Sequence, residues 1–250
     1  FRSSERTDPR TEPHNAIFRL IRDYMFGFMY KTVYQTPDAL AYFPKRAQKN
    51  GCVIPNPITP NLPKRFEGIR RKEFVTFCRI DKQKNLPMMI DSFVQVHSKY
   101  PEYKLRIYGT GLIETEIKDY IKKKQADEYI IMEGFASKVH EGILDCAGFV
   151  SSSDYEGLSN SMLEAMAIGL PCVCTDCPIG GAHMMIQDGV NGLLVPVGDS
   201  NAMATAIIRL IENVDLGTRL SIEAEKVKQF LDENVICKKW ESLLYEENER

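Results

Sequence analysis

Between residues 73 and 212, short apolar runs alternate with longer stretches whose apolar positions recur at helical spacing. Runs of strand length cover 74–80, 105–108, 129–132, 148–151, 172–174 and 191–195. Helical spacing covers 86–98, 113–124, 139–146, the stretch after Asn160, 181 to about 187, and 200–212, the last capped by Ser200. Strand and helix thus alternate about six times. That pattern predicts an α/β domain with a doubly wound, Rossmann-like parallel sheet covered by helices on both faces. Ligands of such sheets bind beyond the carboxyl ends of the strands, near the switch point.

The flanking segments are less regular. Residues 1–14 are polar and contain two prolines, Pro9 and Pro13. Asn15 is placed to cap a helix from 16 to about 33. Phe18, Leu20, Ile21, Tyr24, Met25, Phe28 and Met29 give that helix a broad apolar face. Packing on a sheet is the simpler reading of the face; lying on a membrane surface is the other. A short strand at 33–36, a helix at 37–43 stopped by Pro44, and a strand at 52 leading into a Pro-rich linker, 56–64, follow. Two helical stretches, 216–231 and 234–248, close the chain. The opening Phe-Arg-Ser-Ser-Glu reads as the end of a strand, so a preceding portion is expected.

Composition narrows the class. Hydrophobic residues at 44% and charged ones at 26% are ordinary for a globular protein. The net charge of -2 gives no electrostatic reason to expect a nucleic-acid partner. No apolar run reaches the roughly 18 residues that a membrane span needs. Of 7 cysteines, Cys78, Cys146, Cys172 and Cys174 sit inside apolar runs, as reduced thiols of a cytoplasmic protein do. Cys172, Cys174 and Cys177 lie close together near His183, but no second Cys or His pair completes a tetrahedral set. No metal is expected.

The chemistry concentrates in Glu156-Gly-Leu-Ser-Asn-Ser-Met-Leu-Glu164, between the apolar run at 148–151 and a helix stopped by Gly169 and Pro171. Gly157 lets backbone approach a ligand closely. Ser159, Asn160 or Ser161 can cap the helix, whose first-turn amides favour an anion such as phosphate. Two carboxylates, Glu156 and Glu164, flank that anion site and suit a ligand rich in hydroxyls. A nucleotide sugar has both features. A second cluster, Arg79 and Lys84, places two cations at the carboxyl end of the first strand of the regular region. If the fold is right, they face the same cleft, where fixed cations stabilise charge developing on a departing diphosphate.

The stretch Asp154-Tyr-Glu-Gly-Leu-Ser-Asn-Ser-Met-Leu-Glu-Ala-Met-Ala-Ile-Gly-Leu-Pro171 resembles the E-x7-E signature of the retaining glycosyltransferases of family 4, which have the GT-B fold. Arg79-Ile-Asp-Lys-Gln-Lys-Asn85 resembles that family's phosphate-binding loop, and the Ile-Pro-Asn-Pro segment at 54–57 its interdomain crossing. The resemblance implies a remnant of an N-terminal, acceptor-side domain at 1–55. It implies a donor-binding domain at 56–231 and a helix at 232–250 crossing back toward the first domain. Arg79 and Lys84 would hold the diphosphate and Glu156 the donor-sugar hydroxyls. The amides of Gly157, Leu158, Ser159 and Asn160 would cover sugar and phosphate, and Glu164 would take the ribose hydroxyls. Gly134 and Phe135 would lie near the base, with Gly109 and Gly111 shaping the neighbouring loop. One departure is Met184, where the family usually carries an acid after Gly180-Gly181.

The resemblance further implies transfer with retention from a nucleotide-diphosphate sugar, UDP-linked above all, to a saccharide or lipid-linked saccharide acceptor. No cofactor and no metal are implied. The segments Ser3-Ser-Glu-Arg6 and Thr175-Asp-Cys-Pro-Ile-Gly-Gly181 resemble enzymes of bacterial surface polysaccharide synthesis. The expected location is cytoplasmic, at the inner face of the membrane, with peripheral contact through the 15–34 helix. Two alternatives remain: a nucleotide-sugar-binding fragment without transfer activity, and another GT-B enzyme such as a sugar-nucleotide epimerase. A dehydrogenase lacks support, since no strand leads into G-x-G-x-x-G with an acid about 20 residues on.

Overall fold

The computed structural model describes residues 2–5 and 8–245. The smaller of its two parallel sheets has the order β1 (Arg2–Glu5), β2 (Lys31–Tyr34), β3 (Gly51–Val53). Helix α1 (Ala16–Phe26) connects its first two strands, and α2 (Pro37–Tyr42) with α3 (Lys45–Lys49) the next two. The larger sheet holds β4 (Arg71–Phe77), β5 (Lys104–Tyr108), β6 (Ile130–Gly134), β7 (Cys146–Ser151), β8 (Cys172–Thr175) and β9 (Leu193–Val195). Their spatial order is β6-β5-β4-β7-β8-β9, all pairs parallel. The chain builds outward from β4 to β6, then returns to β7 on β4's other side. The switch point therefore lies between β4 and β7.

Both faces of this sheet are covered, and the strands show why. On β4, Phe74 packs with residues of α4 (Leu86–Lys99), α5 (Glu114–Lys123) and α9 (Ser200–Glu212). Val75 and Phe77 pack on the other face with α6 (Val139–Ile143) and α7 (Asn160–Ala167). On β7, Phe149 joins the second group and Val150 the first; on β8, Cys172 and Cys174 join the second and Val173 the first. The period-2 alternation of side chains thus divides one apolar run between two cores.

The smaller sheet is not independent of the larger. Val33, Ile54 and Ile58 share a buried core with α7 and with Ile236 and Leu243 of α12 (Glu233–Tyr245). The Ile58 amide donates to the Leu231 carbonyl at 2.9 Å. The buried Thr36 hydroxyl donates to the Ile179 carbonyl at 2.7 Å.

Several expectations need correction. Helix α1 ends at Phe26 rather than near 33, because the chain turns at Gly27, whose amide reaches the Tyr24 carbonyl, and Lys31–Tyr34 joins the sheet. Its apolar face does not pack on a sheet: Phe18 is 59% and Leu20 70% exposed. Its polar side is what holds it, with Arg22 donating to the Pro9 carbonyl at 2.7 Å and Arg19 to the His14 carbonyl at 2.7 Å. The strand-end reading of the opening segment holds, in contrast: residues 2–5 form a strand through backbone pairing with β2. Helix α9 is capped by Asp199, which accepts from the Ala202 amide, and not by Ser200. The end of the chain makes three helices instead of two: α10 (Val214–Glu225), α11 (Val227–Leu231) and α12. Part of the last helix expected at 234–248 lies outside the described residues. Among the described residues, no helix is long and apolar enough to cross a membrane.

The two-core arrangement sets a stability expectation. Phe149 is 1% exposed and its ring lies 5.2 Å from that of Phe77. Phe149→Ala should cost about 3–5 kcal/mol in denaturant unfolding, whereas the exposed Leu20→Ala should change it by less than about 0.5 kcal/mol.

Candidate functional site

The carboxyl ends of β4 and β7 are tied together by polar side chains. After β4, Asp81 accepts from the Gln83 amide at 3.0 Å and starts a tight turn, Lys82–Lys84. Asn85 follows in the left-handed region, φ 42°, and its side chain caps α4. After β7, the Ser152 hydroxyl reaches the Lys84 carbonyl at 2.7 Å and the Asn85 carbonyl at 3.0 Å. Asn85 donates to Asp154 at 2.6 Å, and Gln83 to the Tyr155 carbonyl at 2.7 Å. Lys84 closes the set with an ion pair to Glu156, whose Oε1 also accepts from Ser153 at 3.1 Å. The two charged groups named from the sequence at separate loops are thus direct partners, largely shielded from solvent.

Two adjoining cavities open on this junction, of about 460 and 400 Å³, sharing Phe77, Cys78 and Arg79. Volumes in this range hold small organic ligands. The polar cavity is lined further by Gln35, Asn56, Lys84, Glu156 and the run from Gly157 to Ser161. The more apolar one is lined by Tyr108, Gly109, Thr110, Phe135, Ala136 and Val139. Phe135 is 78% exposed, a ring free to stack on a flat ligand. Arg79 stands two residues beyond the strand end instead of closing it, 78% exposed and 3.6 Å from Asp81. Its guanidinium is thus the solvent-exposed cation of the site, and Lys84 the shielded, ion-paired one.

The glycine positions follow from close approach. A Cβ at Gly181 would lie 1.8 Å from the Gly157 carbonyl oxygen, so α8 (Gly181–Met185) presses against the loop before α7. A Cβ at Gly109, φ 132°, would lie 1.8 Å from the Cys78 carbonyl oxygen. Gly134 ends β6, accepts from the Gly109 amide at 2.8 Å, and lines neither cavity. Ser159 occupies the cap position of α7 without a side-chain cap bond; its hydroxyl meets that of Ser161 at 3.1 Å. The first-turn amides of α7 consequently have no side-chain cap from Ser159.

Glu164 stands apart from the cavity linings. Its Oε2 meets His140 Nε2 at 3.0 Å, and Oε1 accepts from the Thr59 hydroxyl. Burial pushes its pKa up, but the hydrogen bonds from His140 and Thr59 outweigh this and hold it below the ordinary carboxylate value. His140 itself stands edge-on to Phe77, at 5.5 Å. Neither His140 nor Thr59 carried a sequence signal, since their distance from Glu164 along the chain obeys no helical or strand period. Gln35 and Asn56 come from the smaller sheet and the linker, so no local spacing could reveal them.

His183 bridges the two sheets. Its Nδ1 lies 2.7 Å from Asp176 and its Nε2 3.4 Å from Asp38 on α2. The hydrogen bond with Asp176, together with the charges of both acids, raises its pKa against some desolvation. Met184 lines a separate groove with Val53, Pro55 and Phe230, away from Glu156. Cys172, Cys174 and Cys177 are buried, and burial pushes the Cys177 thiol up to about 12. Among the described residues, no three His, Cys, Asp or Glu side chains are grouped as a metal ion requires.

Arg79, Lys84, the loop after Glu156 and the N-terminus of α7 thus meet at the switch point of a parallel sheet, where ligands of such folds bind. The family model for glycosyl transferases group 1 matches residues 71–213, more than half of the chain. The chain belongs to that family. It is 28% identical over 185 residues to the poly(ribitol-phosphate) alpha-N-acetylglucosaminyltransferase of Staphylococcus aureus, covering 73% of this chain and 37% of that protein. It is 29% identical over 146 residues to the N-acetylgalactosamine-N,N'-diacetylbacillosaminyl-diphospho-undecaprenol 4-alpha-N-acetylgalactosaminyltransferase of Campylobacter jejuni, covering 58% and 39%. Anabaena Alr3699/HepE, solved in complex with UDP, matches in fold with a TM-score of 0.87 at 19% identity, over 98% of this chain and 72% of that one. The fold is of the GT-B type. The chain spans about half the length of the curated relatives it matches.

Two titrations follow from the site's geometry. In His140→Ala, burial should dominate, so the Glu164 pKa, followed by carboxyl-carbon NMR, should rise above its value in the unsubstituted chain. In that chain Glu164 contributes stability above its unfolded pKa, about 4.3, and loses it as pH falls through the lower folded value. His183 has the opposite sign: its contribution is full below about pH 6.5 and is lost as pH rises through the higher folded value. Denaturant unfolding of His183→Ala should therefore differ from the unsubstituted chain more at pH 6 than at pH 9.

Proposed function

We propose that this chain carries the donor site of a retaining hexosyltransferase that uses a nucleotide-diphosphate sugar, with UDP as the carrier. The observation that carries this reading is the cleft at the switch point, where Arg79, Lys84, Glu156 and the Gly157–Asn160 loop line one polar cavity beside an apolar one. The diphosphate sits against Arg79, Lys84 and the α7 amides. The base lies in the apolar cavity near Phe135. Glu164 exchanges Thr59 or His140 for the ribose hydroxyls, and Glu156 faces the donor sugar.

In this mechanism the bond from C1 to the phosphate oxygen breaks while an acceptor hydroxyl approaches the same face of the sugar. The hydroxyl proton passes to the departing phosphate. Arg79 and Lys84 stabilise the charge that grows there, a role in which a lost donor commonly costs about 10² in rate. Glu156 binds and orients; it is not assigned as a nucleophile. The two cations fill the place of a metal, and no metal takes part.

The acceptor is a saccharide or lipid-linked saccharide, and the setting is bacterial surface polysaccharide synthesis at the inner face of the membrane. Support comes from the acceptors named in the two relatives, one a polyol phosphate and one a diphospho-undecaprenol glycan. The open apolar face of α1 supports peripheral membrane contact.

Calorimetric titration with UDP, GDP and their sugar conjugates tests the donor site. UDP should bind at micromolar level, and Arg79→Ala and Glu164→Ala should each weaken it about tenfold or more, ~1.4 kcal/mol. A folded chain that bound none of these nucleotides would sink the reading.

A further inference from the structure

Gln35 follows β2, and its side chain is 5% exposed. It lines the polar cavity together with Arg79, Lys84, Glu156 and Gly157, although it belongs to the other sheet. Among the described residues its side-chain amide has no hydrogen-bond partner. Neighbouring polar groups do find partners: Thr36 bonds the Ile179 carbonyl, and Asn56 bonds Asn160. Gln35 is not among the side chains whose unpartnered polar atoms are sealed from solvent, so the amide of this otherwise buried residue reaches the cavity surface, where a ligand can bond it.

The amide's own chemistry limits what that ligand group can be. Its NH2 donates and its carbonyl accepts. Phosphate oxygens accept only, so a diphosphate would satisfy the NH2 and leave the carbonyl bare. The cavity already supplies Arg79 and Lys84 for phosphate. A sugar hydroxyl both donates and accepts, and satisfies either half of the amide. We propose that Gln35 hydrogen-bonds a hydroxyl of the transferred sugar from the small-sheet side of the cleft, a step that rests on the nucleotide-sugar reading above. The sugar is then held between Glu156 on one sheet's loop and Gln35 on the other, so sugar selectivity depends on both.

The test compares Gln35→Met, which keeps the volume and removes the hydrogen bonds, with the unsubstituted chain, and adds Gln35→Ala as a second variant. Each is titrated with UDP, UDP-glucose, UDP-galactose and UDP-N-acetylglucosamine. The proposal expects at least one UDP-sugar to bind both variants about tenfold more weakly, while UDP binds them as it binds the unsubstituted chain. Unchanged UDP binding also reports that the variants are folded. An equal loss for UDP and every UDP-sugar overturns the proposal by placing Gln35 at the diphosphate. No loss for any sugar overturns it too. If the unsubstituted chain binds none of the four, the nucleotide-sugar reading itself fails, which the variants cannot mimic.

Discussion

The loop after β4 and the loop after β7 are held in one geometry by side chains that bond backbone carbonyls. Ser152 reaches two carbonyls of the β4 loop at once, and Gln83 reaches back to Tyr155. Because β4 and β7 are hydrogen-bonded neighbours in one sheet, their ends lie side by side and these bonds are short-range. The site residues inherit that geometry: Lys84 lies between Gln83 and Asn85, and Glu156 next to Tyr155. A carboxylate and an ammonium forced together in a shielded place attract strongly and keep loops in register. The same pairing gives each charge a partner within the protein.

The doubly wound core was legible because its signal is local. Six apolar runs of strand length separated by helical spacing leave few topologies, and the observed strands fall within a few residues of the runs. The E-x7-E stretch was legible for the same reason, since a strand, a loop and a helix are contiguous. What could not be read depends on contacts distant in sequence. His140 and Thr59 meet Glu164 only through the packing of α6 and the linker. The α1 segment misled because an apolar face at helical spacing does not say what covers it, whereas the strand at 2–5 was read in the opening segment and pairs through its backbone with β2.

The smaller sheet joins the larger through few contacts of different kinds. There is an apolar patch of Val33, Ile54 and Ile58 against α12, a buried hydroxyl bond from Thr36, and the charged bridge of His183 to Asp38. Apolar area gives the union its strength but no orientation. The directional bonds give it orientation, and they cluster beside the cleft that both sheets line.

Glu164 shows how a site can be ready without being strained. A half-buried carboxylate with no partners would tend to take up a proton, and its loop would shift to hydrate it. Here Thr59 and His140 fill both oxygens, so the carboxylate is kept ionised by its own neighbours. A ligand that engages Glu164 therefore gains only the difference between its own bonds and those it displaces. On leaving, it would give the carboxylate back to the same two partners. In the donor site proposed above, such an exchange would make arrival less favourable and departure easier, which suits turnover better than storage.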